Sequence, residues 1–271
     1  MVITLTLLWQ RARQMNTAWR SSSVSAPAGV LILSAHPDDE VMFFSPIILS
    51  LLEAGTAVWG LCLSQGDADG LGDVRRKELQ KAYGTLGVDN ERVTSLNDGR
   101  FRDGMSNEWQ ADEIVGAVKH HLEHLGRQQA ASIDTIITFD AKGVSRHPNH
   151  IALYRAAQLW LRSQSSSHPS PRILALQTLP LSTKFLSLFG SLWQHQTLRC
   201  AIPHLASAKQ RDSTPVRALL PLYGQGGTNY LTALRAMRDH ASQLVWFRYL
   251  YILLSGHMWG SVLCPVYATL Q

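Results

Sequence analysis

VLILSAHPDDEVMFFSPIILSLLE, from Val30 to Glu53, runs from an unbroken apolar stretch through a charged turn into a second apolar segment. Val30 to Ala35 reads as a short buried strand, and Val41 to Glu53 carries apolar residues at helical spacing. Pro37 pushes His36 toward extended geometry and is itself comfortable in the first turn of a helix. The stretch is therefore read as strand, tight polar turn, helix, with His36, Asp38 and Asp39 held at the strand's carboxyl end.

The same alternation continues outward. Ala57 to Ser64 is a second strand, and a Gly-rich loop, Gly66 to Gly72, leads into a charged helix at about 73 to 86. Arg92 to Leu96 is a third strand, the loop Asn97 to Gly104 follows, and a helix is expected at about 108 to 125. The β-branched run Thr135 to Asp140 is a fourth strand, Pro148 to Arg162 a helix, Ser163 to Pro171 a polar loop and Arg172 to Thr178 a fifth strand. Strands alternating with amphipathic helices predict an α/β, Rossmann-like fold: a mainly parallel sheet covered by helices on both faces. In such a sheet, reactive groups collect in the loops beyond the strands' carboxyl ends.

Those loops lack the usual signatures. There is no G-x-G-x-x-G after the first strand, no G-x-S-x-G elbow and no H-E-x-x-H. Instead the construction of strand, His, Pro, helix occurs twice, as His36-Pro37-Asp38-Asp39 and as His147-Pro148-Asn149-His150. Adjacent Asp38 and Asp39 repel each other and point in different directions, which suits a nearby cation and divided roles, one carboxylate on the metal and one handling protons. His147 and His150 are three apart, and on a helix they share a face about 5 to 6 Å from each other. Two histidines, a carboxylate and an open position describe a catalytic metal site that activates water for hydrolysis. For either motif alone the bland reading is helix N-caps and polar strand ends.

Composition narrows the class. The chain has 271 residues, 45% hydrophobic and 17% charged, which is the balance of a globular protein. The formal charge of +5 sits at the ends: residues 1 to 30 hold Arg11, Arg13 and Arg20 with no acid, whereas 31 to 199 hold 16 basic and 18 acidic residues. The central domain thus presents no basic stripe, and no nucleic-acid partner is expected. Basic ends suit an anionic membrane surface better. The three cysteines lie far apart with no C-x-x-C pair, so a cysteine zinc site is not supported. Val2 to Trp9 is about half the length a spanning helix needs, and Tyr249 to Gln271 lacks Lys, Arg, Asp and Glu but is interrupted by Ser255, Gly256, His257, Gly260 and Pro265. The second stretch is long enough to cross a bilayer, but its interruptions favour buried core, then an interfacial segment, over a spanning helix. His120 and His124 share a helix face without a carboxylate motif, and Gly224, Gly226 and Gly227 read as a loop. The division expected is an N-terminal segment at 1 to 29, possible membrane contact included, a catalytic domain at 30 to 260 and a tail at 261 to 271.

The motifs AHPDDEVMFFSP (35 to 46), LCLSQGDADGLGDVRRKEL (61 to 79), ERVTSLNDGRFRDGM (91 to 105), TFDAKGVSRHPNH (138 to 150) and SQLVWFRYLYILLS (242 to 255) resemble the PIG-L family of N-acetylglucosaminylphosphatidylinositol de-N-acetylases, within the wider LmbE-like deacetylases. The first and fourth are shared by that wider group, whereas the second, third and fifth resemble its eukaryotic glycolipid branch. The resemblance implies hydrolysis of the N-acetyl group of N-acetylglucosaminyl-phosphatidylinositol in GPI-anchor biosynthesis, with Zn2+ or another divalent cation held by His36, Asp39 and His150. It makes Asp38 the general base and His147 the charged partner that polarises the oxyanion and protonates the departing amine. Arg75 resembles the family's substrate-binding arginine; on spacing alone it is equally a helix-face Arg paired with Glu78. Asp98 is a candidate contact for sugar hydroxyls or simply a turn former. The family further implies the cytosolic face of the endoplasmic reticulum membrane. Gly256-His257 departs from it, standing where Arg-Tyr is expected. A soluble N-acetylglucosaminide as substrate, or a non-enzymatic scaffold of the same fold, are the competing readings, and the sequence leaves the oligomeric state open.

Overall fold

The computed structural model describes residues 27–129, 132–163, 171–197, 216–219 and 229–268. The expected N-terminal segment up to residue 26, most of the Ser163 to Pro171 loop, and Gly224, Gly226 and Gly227 lie outside these residues. The elements are β1 (Gly29–Ser34), α1 (Asp39–Met42), α2 (Ser45–Glu53), β2 (Ala57–Cys62), α3 (Gly72–Leu86), β3 (Val93–Ser95), α4 (Ala111–Gln129) and β4 (Thr135–Phe139). Then follow α5 (Gly143–Arg146), α6 (Pro148–Ser163), β5 (Arg172–Leu176), α7 (Leu181–Lys184), α8 (Ser187–Thr197), β6 (Val216–Leu219), α9 (Asn229–Asp239), α10 (Trp246–Leu254) and β7 (Gly260–Pro265).

These strands form one seven-stranded sheet in the order β3-β2-β1-β4-β5-β7-β6. The first five are mutually parallel, and β7 runs antiparallel to both β5 and β6. Every residue of β1 and of β4 is buried, as befits parallel strands with helices on both sides. On one face α4 and α6 pack together against Leu33, Ile136 and Ile173; α2, α3 and α9 group on the other. The α/β, Rossmann-like expectation is borne out.

The chain winds outward from β1 to β2 and β3, then returns to lay β4 on β1's other side, with Leu31 beside Ile136. Between β1 and β4 the winding reverses, which opens a crevice beyond their carboxyl ends. Both histidine turns leave the sheet there, and for this reason residues more than 100 positions apart meet.

Two sequence expectations need correction. The helix read as continuous over Val41 to Glu53 breaks at Phe43 and Phe44. Pro46 has no N–H to give the Met42 carbonyl, which accepts instead from the Tyr251 hydroxyl at 3.3 Å, while Ser45 Oγ donates to the Val41 carbonyl at 2.7 Å. The boundary drawn at 260 falls at the head of β7, so residues 261 to 265 are sheet and not tail. The uncharged stretch from Tyr249 is divided: α10 is amphipathic and largely exposed, Ser255 Oγ caps a short turn by accepting from the His257 N–H, and β7 is buried. Among the described residues no helix is long and apolar enough to cross a membrane.

Candidate metal centre

His36 leaves β1 with its side chain almost fully buried, and Asp39 turns back beneath it. One Asp39 carboxylate oxygen accepts from the backbone N–H groups of Ala35 and His36 at 3.0 and 2.9 Å. The other lies 3.3 Å from His150 Nε2. Burial would raise Asp39, but His150, the His36 charge and the backbone N–H outweigh it and hold the carboxylate well below its usual range.

Asp38 points the opposite way, as expected for consecutive residues, and pairs with Arg248 Nη2 at 2.8 Å. Its backbone has φ 118°, a conformation that non-glycine residues avoid and that persists only where neighbours enforce it. Glu40 is one such neighbour: it accepts from the Asp38 N–H at 3.0 Å and is itself buried against His240.

The second turn brings His147 and His150 to the same point. The His36 ring centre lies 4.6 Å from His147 and 5.3 Å from His150. Nitrogen ligand atoms of these three histidines all fall within 4.8 Å of one another. Phe139 stacks flat on His150 at 3.9 Å, and the Gly143 carbonyl contacts His150 Nδ1 at 3.1 Å. With Nδ1 engaged by that carbonyl, Nε2 is the nitrogen turned into the site, 3.3 Å from the Asp39 carboxylate. A buried imidazole nitrogen facing a carboxylate, with two further histidines beside it, fits a divalent cation.

The loop that presents Gly143 is tightly held. Asp140 accepts from the N–H groups of Thr178, Lys142 and Gly143 and from the Thr178 hydroxyl, at 2.6 to 3.1 Å. Gly143 itself has φ +56°, and a Cβ there would meet His150 Cβ at 2.9 Å, so glycine is required on both grounds.

His147 is half-buried, and its Nδ1 accepts the Asn149 N–H at 3.3 Å, leaving Nε2 as a donor. Burial first, then the charges of His36 and His150, pull it down to about 4, so it is neutral at pH 7.

Arg75 lies in the wall of the same pocket, where its two terminal nitrogens bind the protein and its Nε has no partner. It gives hydrogen bonds to the Gly66 and Pro37 carbonyls at 2.7 and 2.9 Å and pairs with Asp103 at 3.4 Å, while Glu78 binds Ser242 instead. Asp98 is outside this pocket. It accepts from the Arg100 N–H and side chain at 3.0 Å and lines an adjoining groove that meets the site at Ala68 and Asp103. His120 and His124 border another depression with His121, away from the centre.

Several site residues were not singled out from sequence. Asp103 Oδ1 sits 3.0 Å from His36 Nε2, as does Asn149 Nδ2. Burial lowers His36, yet the hydrogen bond that it gives to Asp103 and the charges of Asp39, Asp103 and Asp38 hold it above its ordinary value. Arg248, Tyr251 and Lys184 complete the mouth of a cavity of about 450 Å³. Asp103 lies two residues from the end of a quoted motif, but only the fold shows that its loop folds back over β1. His257, where the sequence departs from the family, is fully buried one ring behind: Phe43 touches both it and His150, at 6.1 and 5.8 Å.

The family model described as PIG-L, GlcNAc-PI de-N-acetylase, matches residues 31–161 and so encloses both histidine turns. A probable N-acetylglucosaminyl-phosphatidylinositol de-N-acetylase of Schizosaccharomyces pombe is 34% identical over 263 residues, covering 95% of this chain and 96% of that one. The chain belongs to the PIG-L family. A second member, the N-acetylglucosaminyl-phosphatidylinositol de-N-acetylase of Bos taurus, is 34% identical over 242 residues, 88% of this chain and 85% of that one. Among solved structures, N,N'-diacetylchitobiose deacetylase from Pyrococcus horikoshii aligns with a TM-score of 0.54 over 97% of this chain and 91% of its own, and at 17% identity that likeness concerns the fold alone. The PIG-L match stops at residue 161, before the helices that close the pocket mouth, but the full-length relatives extend across them.

Proposed function

We propose that this PIG-L deacetylase removes the N-acetyl group from N-acetylglucosaminyl-phosphatidylinositol, the step named in its relatives, giving acetate and glucosaminyl-phosphatidylinositol for GPI-anchor assembly. The observation that carries the reading is the convergence of both histidine turns on one buried point. His36, Asp39 and His150 would hold Zn2+ or another divalent cation, with His147 beside them. When bound, that ion supplies a Lewis acid for the amide carbonyl and lowers the pKa of water.

The chain's own residues do the rest. Asp38, not engaged with the histidines, takes the proton from the attacking water, and its ion pair with Arg248 aims the carboxylate into the cavity. His147 Nε2–H donates to the oxygen on which negative charge develops. The proton gathered on Asp38 then leaves with the glucosamine nitrogen, so the proton count closes. Arg75 contributes to substrate binding chiefly by fixing the Gly66 and Pro37 loops, and Asp98 is placed to meet the part of the substrate that extends into the adjoining groove.

A substrate held in a bilayer implies work at a membrane surface, and we extend the proposal to the cytosolic face of the endoplasmic reticulum. Acetate release from the lipid substrate should disappear on chelation, return with added zinc and fall with Asp38→Ala. Activity that survives both treatments would overturn the assignment. A soluble N-acetylglucosaminide as the true substrate would show as turnover of the free headgroup that equals or exceeds that of the lipid.

A further inference from the structure

The pocket mouth is bordered by an apolar surface that the chemistry does not use. On α10, Trp246, Leu250 and Leu253 recur at helical spacing and are 74%, 50% and 58% exposed. Across the mouth, Leu181, Phe185 and Phe189 on α7, the short link after it and α8 are 78%, 44% and 68% exposed. The two banks touch where the Phe185 and Tyr251 rings meet edge to face, 6.5 Å apart, and both rings line the cavity. Soluble proteins seldom leave so many large apolar side chains together in water unless the patch contacts a partner.

We infer that this two-bank rim is a membrane-docking surface that seats the pocket mouth on an anionic phospholipid bilayer. The inference rests on the proposed reading that the substrate is a bilayer-held glycolipid, and it names the surface that would receive it. Three observations choose the bilayer as occupant. Within residues 181–193 and 244–259 there is no Asp or Glu, and the two formally charged residues are Lys184 and Arg248, so nothing on the rim repels phosphate. The mixture of Trp, Phe and Leu on a short amphipathic helix is that of interfacial anchors, which enter only to the headgroup and acyl boundary. The rim is also continuous with the pocket through Phe185 and Tyr251, so a lipid could leave its acyl chains in the bilayer while its sugar reaches Asp38.

The test is flotation of the full chain with vesicles of phosphatidylcholine containing about one-fifth phosphatidylserine, without substrate. The parent protein is compared with Trp246→Ser/Leu250→Ser/Leu253→Ser and with Leu181→Ser/Phe189→Ser. Each variant should lose roughly tenfold or more in vesicle partition, and the same factor in kcat/KM on the lipid substrate. Turnover of the water-soluble headgroup should remain at the parent level, which also reports that the variants are folded. Undiminished partition in both variants overturns the inference, as does ultracentrifugation showing that the rim closes a dimer which the substitutions dissolve without affecting vesicle binding. If partition falls as expected but neither lipid nor headgroup is deacetylated by the parent, the docking surface stands and the substrate reading fails.

Discussion

Around the β1 and β4 turns, the side chains are held in place by the protein: Asp39 by two backbone N–H groups, His150 Nδ1 by the Gly143 carbonyl, Arg75 by two carbonyls and Asp103. On the α10 bank, a few residues away across the same cavity, Trp246 and Leu253 project into solvent. On the proposed reading, the difference separates two jobs. Groups that must hold an ion and move a proton are over-determined, because an error of about 1 Å there is expensive in rate. Groups that meet a fluid surface need area and tolerance and no fixed geometry.

The comparison is broken most severely at Asp38. Asp38→Ala should lower acetate release by about 10²–10⁴-fold while leaving metal content at the parent level, since this carboxylate faces Arg248 and not the histidines. Loss of the metal together with activity would instead place Asp38 among the ligands.

Next is the buried pair beneath the turn. His240 and Glu40 are both fully buried, and removing the imidazole leaves an uncompensated carboxylate, so His240→Ala should cost about 3–5 kcal/mol in urea unfolding. Burial alone would lower His240, but the charge and hydrogen bond of Glu40 raise it above 6.5. A raised folded value means that its contribution is complete below the unfolded pKa and is lost as pH rises through the folded one. The gap between parent and variant should therefore narrow toward alkaline pH, and a gap that widens would refute the ion pair.

Smaller effects sharpen the contrast. Asp103→Asn should weaken metal affinity by about 10- to 100-fold, as expected for a carboxylate that orients a metal-bound imidazole, with little change in unfolding midpoint. Metal titration followed by activity at saturating metal distinguishes this from a direct catalytic role, because the saturated variant should regain most of its turnover. Trp246→Ser, on the opposite bank, should shift stability by less than about 0.5 kcal/mol and leave headgroup turnover unchanged.

The architecture and the two histidine turns were legible because each depends on local chemistry. An apolar run long enough for one buried strand, a proline after His36 and another after His147, and helical spacing beyond them specify strand, turn and helix whatever lies elsewhere. The break at Phe43 was half-visible in Pro46, yet the Tyr251 hydroxyl that donates to the Met42 carbonyl comes from a helix 209 residues onward in the chain. Asp103, Arg248 and His240 carry no local signal either: an Asp in a loop, an Arg on an aromatic helix and a His after a helix end are common, and their partners lie in other elements.

What the sequence determined by itself was the kind of groups available at the strand ends and their division into two turns, since backbone preferences and apolar periodicity act over a few residues. Only the tertiary structure decided that those turns share a site, because the reversal of winding at β1 lays β4 against it. It likewise decided that the uncharged C-terminal stretch splits into an exposed helix and a buried strand. An antiparallel edge of β5 was open to pair with β7, and a backbone hydrogen-bonding partner of that kind is supplied by the fold and not by the segment's own residues.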